Sequence, residues 1–360
     1  MSSNRLILGA DIREHHLILS CAIENQKEFV NETFALEKNR DADELIRIIK
    51  EFLESRYEHN VPDYLVYSCE DYPLSKCRKI EKAFRQDGLG RSGIRLLSHE
   101  NSFVHYVMQQ KEELHRHTVI GFDFDGKEMT AYRLYYPNKK NKKEMKTEKK
   151  VIGAFSLTGE TEENRMVLDQ KFADLSKIIL SKEVVSTVFL TGTGFDGKWM
   201  QKSLKVICDG RRAFFGQNLF SSGNCFYGMM LCRNAKEDYT VQSPETVVYE
   251  SGVMDSGSGE SFVPITVAGI PWYEAKGSVD VIMERGGRAD IVFVHSQTKE
   301  KQVESVDISG LPARPRKTGR LTITVEFTDN QRGVITVLDK GFGAFSPTTH
   351  LVFFKEFKLL

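Results

Sequence analysis

The sequence predicts a duplicated α/β module followed by an all-β domain, and three observations carry that reading. Thr118–Tyr136 (TVIGFDFDGKEMTAYRLYY) is two apolar runs joined across Asp123-Phe124-Asp125-Gly126, the pattern of a strand, a tight turn and a second strand. Asn4–Glu24 opens in the same way, with apolar run, Gly, Asp, polar turn and apolar run, about 110 residues earlier. After residue 240 the pattern changes to short strands parted by Gly, Asn, Asp and Pro. Two equivalent hairpins imply two halves, residues 1–117 and 118–234, with a cleft between them. The last stretch, 240–360, reads as a β-sandwich.

Within the first half, Leu6–Asp11, Leu17–Ala22 and Glu28–Phe34 read as consecutive strands. Asp41–Tyr57 carries Leu45, Ile48, Ile49, Phe52 and Leu53 at helical spacing, with Asp41 or Asp43 as N-cap. Strand Tyr64–Ser68, helix Leu74–Gln86, strand Ile94–Leu97 and helix Glu100–Glu113 complete the order βββαβαβα. The second half repeats it. The hairpin is followed by a lysine-rich polar loop (PNKKNKKEMKTEKK), a strand at Val151–Leu157 and a helix at Glu163–Ser181. Then come a strand at Thr187–Thr191, a short helix from Lys198, a brief strand at Ala213–Phe215 and an apolar helix at Gly223–Cys232.

Composition narrows the function classes. The 50 basic and 50 acidic side chains cancel, which argues against nucleic acid as a partner. MSSNRLILGA lacks the apolar core of a signal peptide, and no run approaches the roughly 18 apolar residues of a membrane span. The six cysteines are scattered without a CxxC pair, as expected of reduced thiols in a cytoplasmic protein. No spacing supports a conventional metal site or a Ser/His/Asp or Cys/His catalytic set.

Two βββαβαβα halves, each opening on an Asp-bearing hairpin, resemble the actin-like (ribonuclease H-like) ATPase superfamily, and most of all its seventy-kilodalton heat-shock chaperones. The stretches that carry the resemblance are LGADIREHH, GFDFDGKEMTAY and VFLTGTGFDGKWM. It implies ATP and Mg as cofactors. Asp11 and Asp123 would hold the metal, Gly126 would sit at the second phosphate turn, and Gly192 and Gly194 would form the adenosine turn.

The residues around these positions depart from the family. Its first turn, Asp-Leu-Gly-Thr-Thr, is here Asp11-Ile12-Arg13-Glu14-His15, and its second, Asp-Leu-Gly-Gly-Gly-Thr, is Asp123-Phe124-Asp125-Gly126-Lys127-Glu128. Phosphates need backbone N–H groups aimed at one point, and glycine lets the backbone approach. Arg13 adds bulk there, while Glu14, Asp125 and Glu128 add repulsive charge. The family's large insertions between third strand and first helix are also missing, so a bound nucleotide would be poorly covered. These departures predict a degenerate nucleotide site with ATP hydrolysis in doubt.

The last third extends the resemblance. VDISGLPARPRKTGRLTITVEFTDNQRGVITVLDKG follows the chaperones' substrate-binding sandwich, with Pro312, Arg314, Pro315, Phe327, Asp329 and Gly333 at matching positions. This implies capture of protein or peptide segments, with Trp272 and Tyr273 as aromatic anchors and Met254–Glu260, Trp272–Gly277 and Gly286–Arg288 as candidate loops. The chain reaches Leu360 just after its last strand, which predicts a sandwich without the chaperones' helical lid. Two other readings stay open: a minimal ATP-driven switch, and a non-catalytic scaffold that forms oligomers.

Overall fold

The computed structural model describes residues 5–360 apart from 25–27, 38–39, 58–60, 70–71, 139, 156–160, 236–238, 256–260 and 284–286. Ser156 and Leu157 of the expected strand, most of the loop Met254–Glu260, and Gly286 therefore lie outside the described residues. Two units, Met1–Tyr239 and Thr240–Leu360, separate by their internal contacts.

The first unit begins with β1 (Leu6–Ile12), β2 (His16–Ile23), β3 (Val30–Ala35) and α1 (Ala42–Glu54). It continues with β4 (Tyr64–Cys69), α2 (Leu74–Gln86), β5 (Gly93–Leu97) and α3 (His99–Met108). The strands lie in the order β3-β2-β1-β4-β5, antiparallel through the hairpins and parallel across β1-β4 and β4-β5. Every residue of β1 is buried, as a central strand covered on both faces requires. Asp41 is the N-cap of α1: its carboxylate accepts the N–H groups of Asp43 (3.0 Å) and Glu44 (3.4 Å).

The second set is β6 (Thr118–Phe124), β7 (Glu128–Tyr135), β8 (Glu144–Ala154), α4 (Glu162–Leu180), β9 (Val185–Thr191), α5 (Gln201–Ile207), β10 (Arg212–Phe215) and α6 (Leu219–Cys232). These strands repeat the order, β8-β7-β6-β9-β10. A mixed α/β unit with this twice-used order is consistent with the actin-like, ribonuclease H-like fold. Among the described residues no helix is long and apolar enough to cross a membrane.

Several elements differ from the sequence expectation, among them α6, which starts at Leu219 rather than Gly223. Much of the lysine-rich stretch is strand rather than loop: β8 starts at Glu144 and pairs with β7 from Lys146↔Tyr135 to Ala154↔Glu128. Met145 and Thr147 are buried while their neighbours are partly exposed, a period of two masked by lysines that keep their charges outward. Helix α5 starts at Gln201 rather than Lys198, because the Asp169 carboxylate accepts the N–H groups of Gln201 (3.0 Å), Lys202 (2.7 Å) and Ser203 (2.8 Å). Helix α3 ends at Met108, and a separate short turn follows at Glu112–Leu114.

The last helix of each half packs on the other half. From α3, Phe103 meets Tyr132 and Phe189 at 6.1 and 6.5 Å between ring centres, and Tyr106 meets Phe189 at 5.4 Å. From α6, Asn224 donates to the Ala10 carbonyl of β1 (2.8 Å), and Ile7, Ala22, Cys225 and Met229 share an apolar cluster. The two helices also touch, since a Cβ at Gly223 would lie 2.0 Å from the Ser102 carbonyl oxygen, and α6 lies as close on β1, where one at Gly9 would lie 2.0 Å from the Ser221 carbonyl oxygen. Gly223→Ala is expected to force α6 off α3 and to lower stability by about 2–3 kcal/mol, read by urea unfolding.

The second unit contains β11 (Thr240–Gln242), β12 (Tyr249–Asp255), β13 (Ser261–Thr266), β14 (Lys276–Met283), β15 (Arg288–His295), β16 (Lys301–Asp307), β17 (Gly319–Phe327), β18 (Arg332–Asp339) and β19 (Val352–Lys358). Two four-stranded sheets form, β13-β12-β15-β16 and β14-β17-β18-β19. Ile291 and Phe293 of the first and Ile323, Val325, Ile335 and Val337 of the second join one buried cluster.

Candidate functional site

The site grows from the two hairpins. Asp11 stands at the end of β1 opposite Ser68 of β4, and Asp123 near the end of β6 opposite Thr191 of β9. The duplication thus brings two carboxylates to equivalent places, and the structure faces them toward each other. Both are buried, 1% and 3% exposed, so a charge partner is required.

Arg13 is that partner. The β1–β2 turn is closed by its N–H donating to the His16 carbonyl (2.8 Å), which aims its side chain inward. Nε donates to Asp11 Oδ2 (2.9 Å) and Nη1 to Asp123 Oδ1 (3.0 Å), so one guanidinium joins the two turns. Asp11 Oδ1 accepts from His99 Nε2 (2.7 Å) and from the Ser68 hydroxyl (3.2 Å). His99 stacks on Phe220 at 3.9 Å, and the Tyr132 hydroxyl lies 3.3 Å from its Nδ1. Burial alone would push the Asp11 carboxyl up. The charges of His99 and Arg13 and their hydrogen bonds outweigh it and hold Asp11 well below the ordinary carboxylate range.

The glycines do other work. Gly126 has φ +97° at the tip of the second hairpin, where Asp125 Oδ1 accepts the N–H groups of Lys127 (2.7 Å) and Glu128 (2.9 Å). Asp125 is thereby the hairpin's own cap. A Cβ at Gly192 would come within 2.2 Å of the Phe124 carbonyl oxygen, and one at Gly194 within 2.5 Å of the Gly126 nitrogen. These two glycines let the third turn lie directly on the second. Phe195 is buried and stacks on Trp199 with the ring centres 6.1 Å apart.

Above Arg13 opens a cleft of about 480 Å³, lined by Glu14, Arg40, Tyr72, Lys76, Asp125, Lys127, Gly192, Thr193 and Gln217 among others. Arg40 and Lys76 lie over the Tyr72 ring at 4.5 and 5.3 Å, and Lys127 reaches Glu14 across the mouth at 3.5 Å. Among the described residues, Arg13, Arg40, Lys76 and Lys127 are the cations of the lining, and Glu14 and Asp125 its carboxylates.

Magnesium prefers several oxygens free to form an octahedron around it. Asp11 has both oxygens engaged, and a guanidinium stands between it and Asp123. Among the described residues no group of three or more His, Cys, Asp or Glu side chains is arranged to hold a metal. The arrangement does not fit the Asp11–Asp123 magnesium that the resemblance implied. Sequence reasoning also missed His99, Tyr132 and Phe220. The local signal for His99 is its place at the start of α3, directly after the N-cap Ser98.

In the second unit Trp272 is half-buried and packs against the apolar cluster, with Tyr273 edge-on to it at 5.5 Å.

Comparison with known proteins gives family and little chemistry. Residues 252–359 match a domain of unknown function, DUF8552. No curated protein matches. Among solved structures, the ethanolamine utilization protein EutJ from Carboxydothermus hydrogenoformans aligns at 11% identity and a TM-score of 0.43, covering 62% of this chain and 90% of its own. The (R)-2-hydroxyglutaryl-CoA dehydratase component A of Acidaminococcus fermentans aligns at 11% and 0.43, covering 64% and 99%. The activator of the 2-hydroxyisocaproyl-CoA dehydratase from Clostridium difficile, with bound ADPNP, aligns at 9% and 0.42, covering 64% and 96%. Likenesses this distant carry no argument about the site. Residues 19–243, well over half of the chain, match the C-terminal model of a family of unknown function, DUF5716, and the chain belongs to that family.

Proposed function

We propose that the N-terminal unit is an actin-like module that binds a phosphate-bearing ligand of nucleotide size in its cleft without a metal and does not hydrolyse it. The observation that carries this reading is Arg13, whose single guanidinium joins Asp11 and Asp123 where a metal would otherwise be held. The cleft volume suits a nucleotide, and Arg40, Lys76 and Lys127 supply charge for phosphates. Asp11, Asp123, Gly126, Gly192 and Gly194 then shape the cleft floor and its turns, and the contact with phosphate passes to the cations.

The test is calorimetric titration with ATP in EDTA and again in magnesium, with phosphate release followed in parallel. Equal affinity within about twofold and no release are expected, since no metal enters the contact. Binding that needs magnesium, or measurable turnover, would sink the proposal.

A protein-binding role for the second unit belongs to the same reading. Its two sheets are taken as a sandwich of the chaperone substrate-binding kind, with Trp272 and Tyr273 bracing one end. Exposed apolar side chains favour this role: Phe354, 75% exposed, and Val352 lie on the edge strand β19, Leu351 just before it, and Phe345, 93% exposed, in the connection from β18. Such an edge offers backbone pairing to an extended segment. A peptide array probed with the full chain and with Phe354→Lys is expected to lose its signals in the variant; signals unchanged by Phe354→Lys would count against this edge.

A further inference from the structure

Six thiols are free, and two of them come together beside the cleft. Cys69 ends β4, two residues after Tyr67 and so on the same face of that strand. The Tyr67 hydroxyl donates to the Cys77 carbonyl at 3.0 Å, and its ring meets Phe84 of α2 at 5.8 Å, so α2 covers this face. Cys77 closes the first turn of α2, its N–H donating to the Pro73 carbonyl at 3.1 Å. Its thiol lies 3.6 Å from the Tyr72 carbonyl oxygen, and α2 sets it over the face of β4 that carries Tyr67 and Cys69.

We propose that Cys69 and Cys77 are a redox dithiol whose disulfide fixes the Tyr72–Lys76 wall of the cleft. Tyr72, Pro73 and Lys76 fall between the two cysteines and line that cleft, and Arg40 rests on Tyr72. A bond across the segment therefore restrains where two of the cleft's cations sit. The effect on ligand rests on the cleft reading above, whereas the disulfide itself does not.

The chemistry is that of a nucleophilic and a resolving thiol. Contact with Cys69 draws the Cys77 thiol down toward the thiolate; burial opposes it, and Arg40 and Arg78 reinforce it. The same contact, together with burial, pushes the Cys69 thiol up. With hydrogen peroxide as oxidant, the Cys77 thiolate attacks one oxygen, the O–O bond breaks, and the departing hydroxide takes a proton to become water. The Cys69 sulfur then attacks the resulting sulfenic sulfur. The S–S bond forms, the S–O bond breaks, and hydroxide leaves with the Cys69 proton as a second water. Two thiols lose two protons and two electrons, and one peroxide becomes two waters.

The experiment treats reduced full-length protein with hydrogen peroxide, blocks remaining thiols with iodoacetamide and digests with trypsin. The expected product joins Tyr57–Lys76 to the dipeptide Cys77-Arg78, two hydrogens lighter than the free peptides and split by dithiothreitol. Exposed Cys208 reports that oxidant reached the protein. Cys208 oxidised while Cys69 and Cys77 are both recovered alkylated would overturn the proposal, with no variant needed. A second arm titrates inorganic pyrophosphate into reduced and oxidised protein. A change in Kd of about fivefold or more is expected, and its absence in Cys69→Ser. A crosslink with unchanged Kd overturns the link to the cleft. Pyrophosphate binding to neither form overturns the cleft reading and leaves the dithiol to be decided by the crosslink.

Discussion

Replacing Arg13 with alanine is expected to lower the stability of the N-terminal unit by about 3–5 kcal/mol, and millimolar magnesium is expected to restore part of it. The loss follows from what remains: two buried carboxylates, 1% and 3% exposed, facing one another without the cation between them. In that variant the carboxylate oxygens released by the guanidinium become ligands for a small hard cation, so the metal binds the folded state and stabilises it by mass action. The wild-type protein, with the space already filled by Arg13, should show no comparable shift. Arg13→Lys should fall between, because a point charge on a flexible stem cannot make both forked contacts. Thermal unfolding of the three proteins with and without magnesium gives the answer. Equal stabilisation of all three by magnesium would show that Arg13 does not occupy the metal's place.

In the second unit the largest expected effect belongs to the Arg314–Asp339 pair. Arg314 makes a forked contact to Asp339, Nη1 to Oδ1 at 2.7 Å and Nη2 to Oδ2 at 2.8 Å, and also donates to the Pro347 carbonyl at 2.8 Å. Asp339 accepts in addition from the N–H of Gly341 (3.0 Å) and from the N–H and hydroxyl of Thr349 (2.7 Å each). One buried carboxylate thus gathers the stretch before β17, the end of β18 and the approach to β19. Asp339→Ala is expected to cost about 3–5 kcal/mol, because it strands a buried guanidinium as well as three donors. Arg314→Ala should cost a similar amount, and the double variant much less than the sum, since each single change already exposes the other partner's burial. Urea unfolding followed by the fluorescence of Trp272 measures all three; strict additivity would refute the coupling.

The pair also sets an acid limb. Hydrogen bonding to Arg314, against the opposing effect of burial, holds Asp339 well below the ordinary carboxylate range. A depressed carboxylate contributes stability that is fully present above its unfolded value, about 3.9, and is lost as pH falls through its folded value. Asp339→Asn should therefore flatten the acid side of the unit's stability curve without altering its shape near neutrality.

How much of this was legible can be judged from single residues. The stripe through Leu45, Ile48, Ile49 and Phe52 gave α1 its place because burial on one face leaves a period in the sequence. The same rule failed at β8, where Lys146, Lys149 and Lys150 hide the alternation of Met145 and Thr147. Trp199 looked like a helical residue, yet its indole N–H is spent on the Gly194 carbonyl at 3.1 Å and the helix waits for the Asp169 cap. The aspartates of the two turns were visible as a repeated pattern. The ion triad they form was not, because Arg13 and Asp123 are 110 positions apart and no local spacing encodes their meeting. Arg13 read only as an obstacle to phosphate; tertiary placement made it a counter-charge.

The exchange of α3 and α6 between the halves bears on how the chain reaches its native state. Neither half can complete its own core, since Phe103 finishes the sheet of the second and Cys225 that of the first. The module should therefore fold and unfold as one cooperative block, its rate governed by contacts far apart in sequence. A chain divided between residues 117 and 118 should yield two fragments that acquire order only when mixed, each lending the other its final helix.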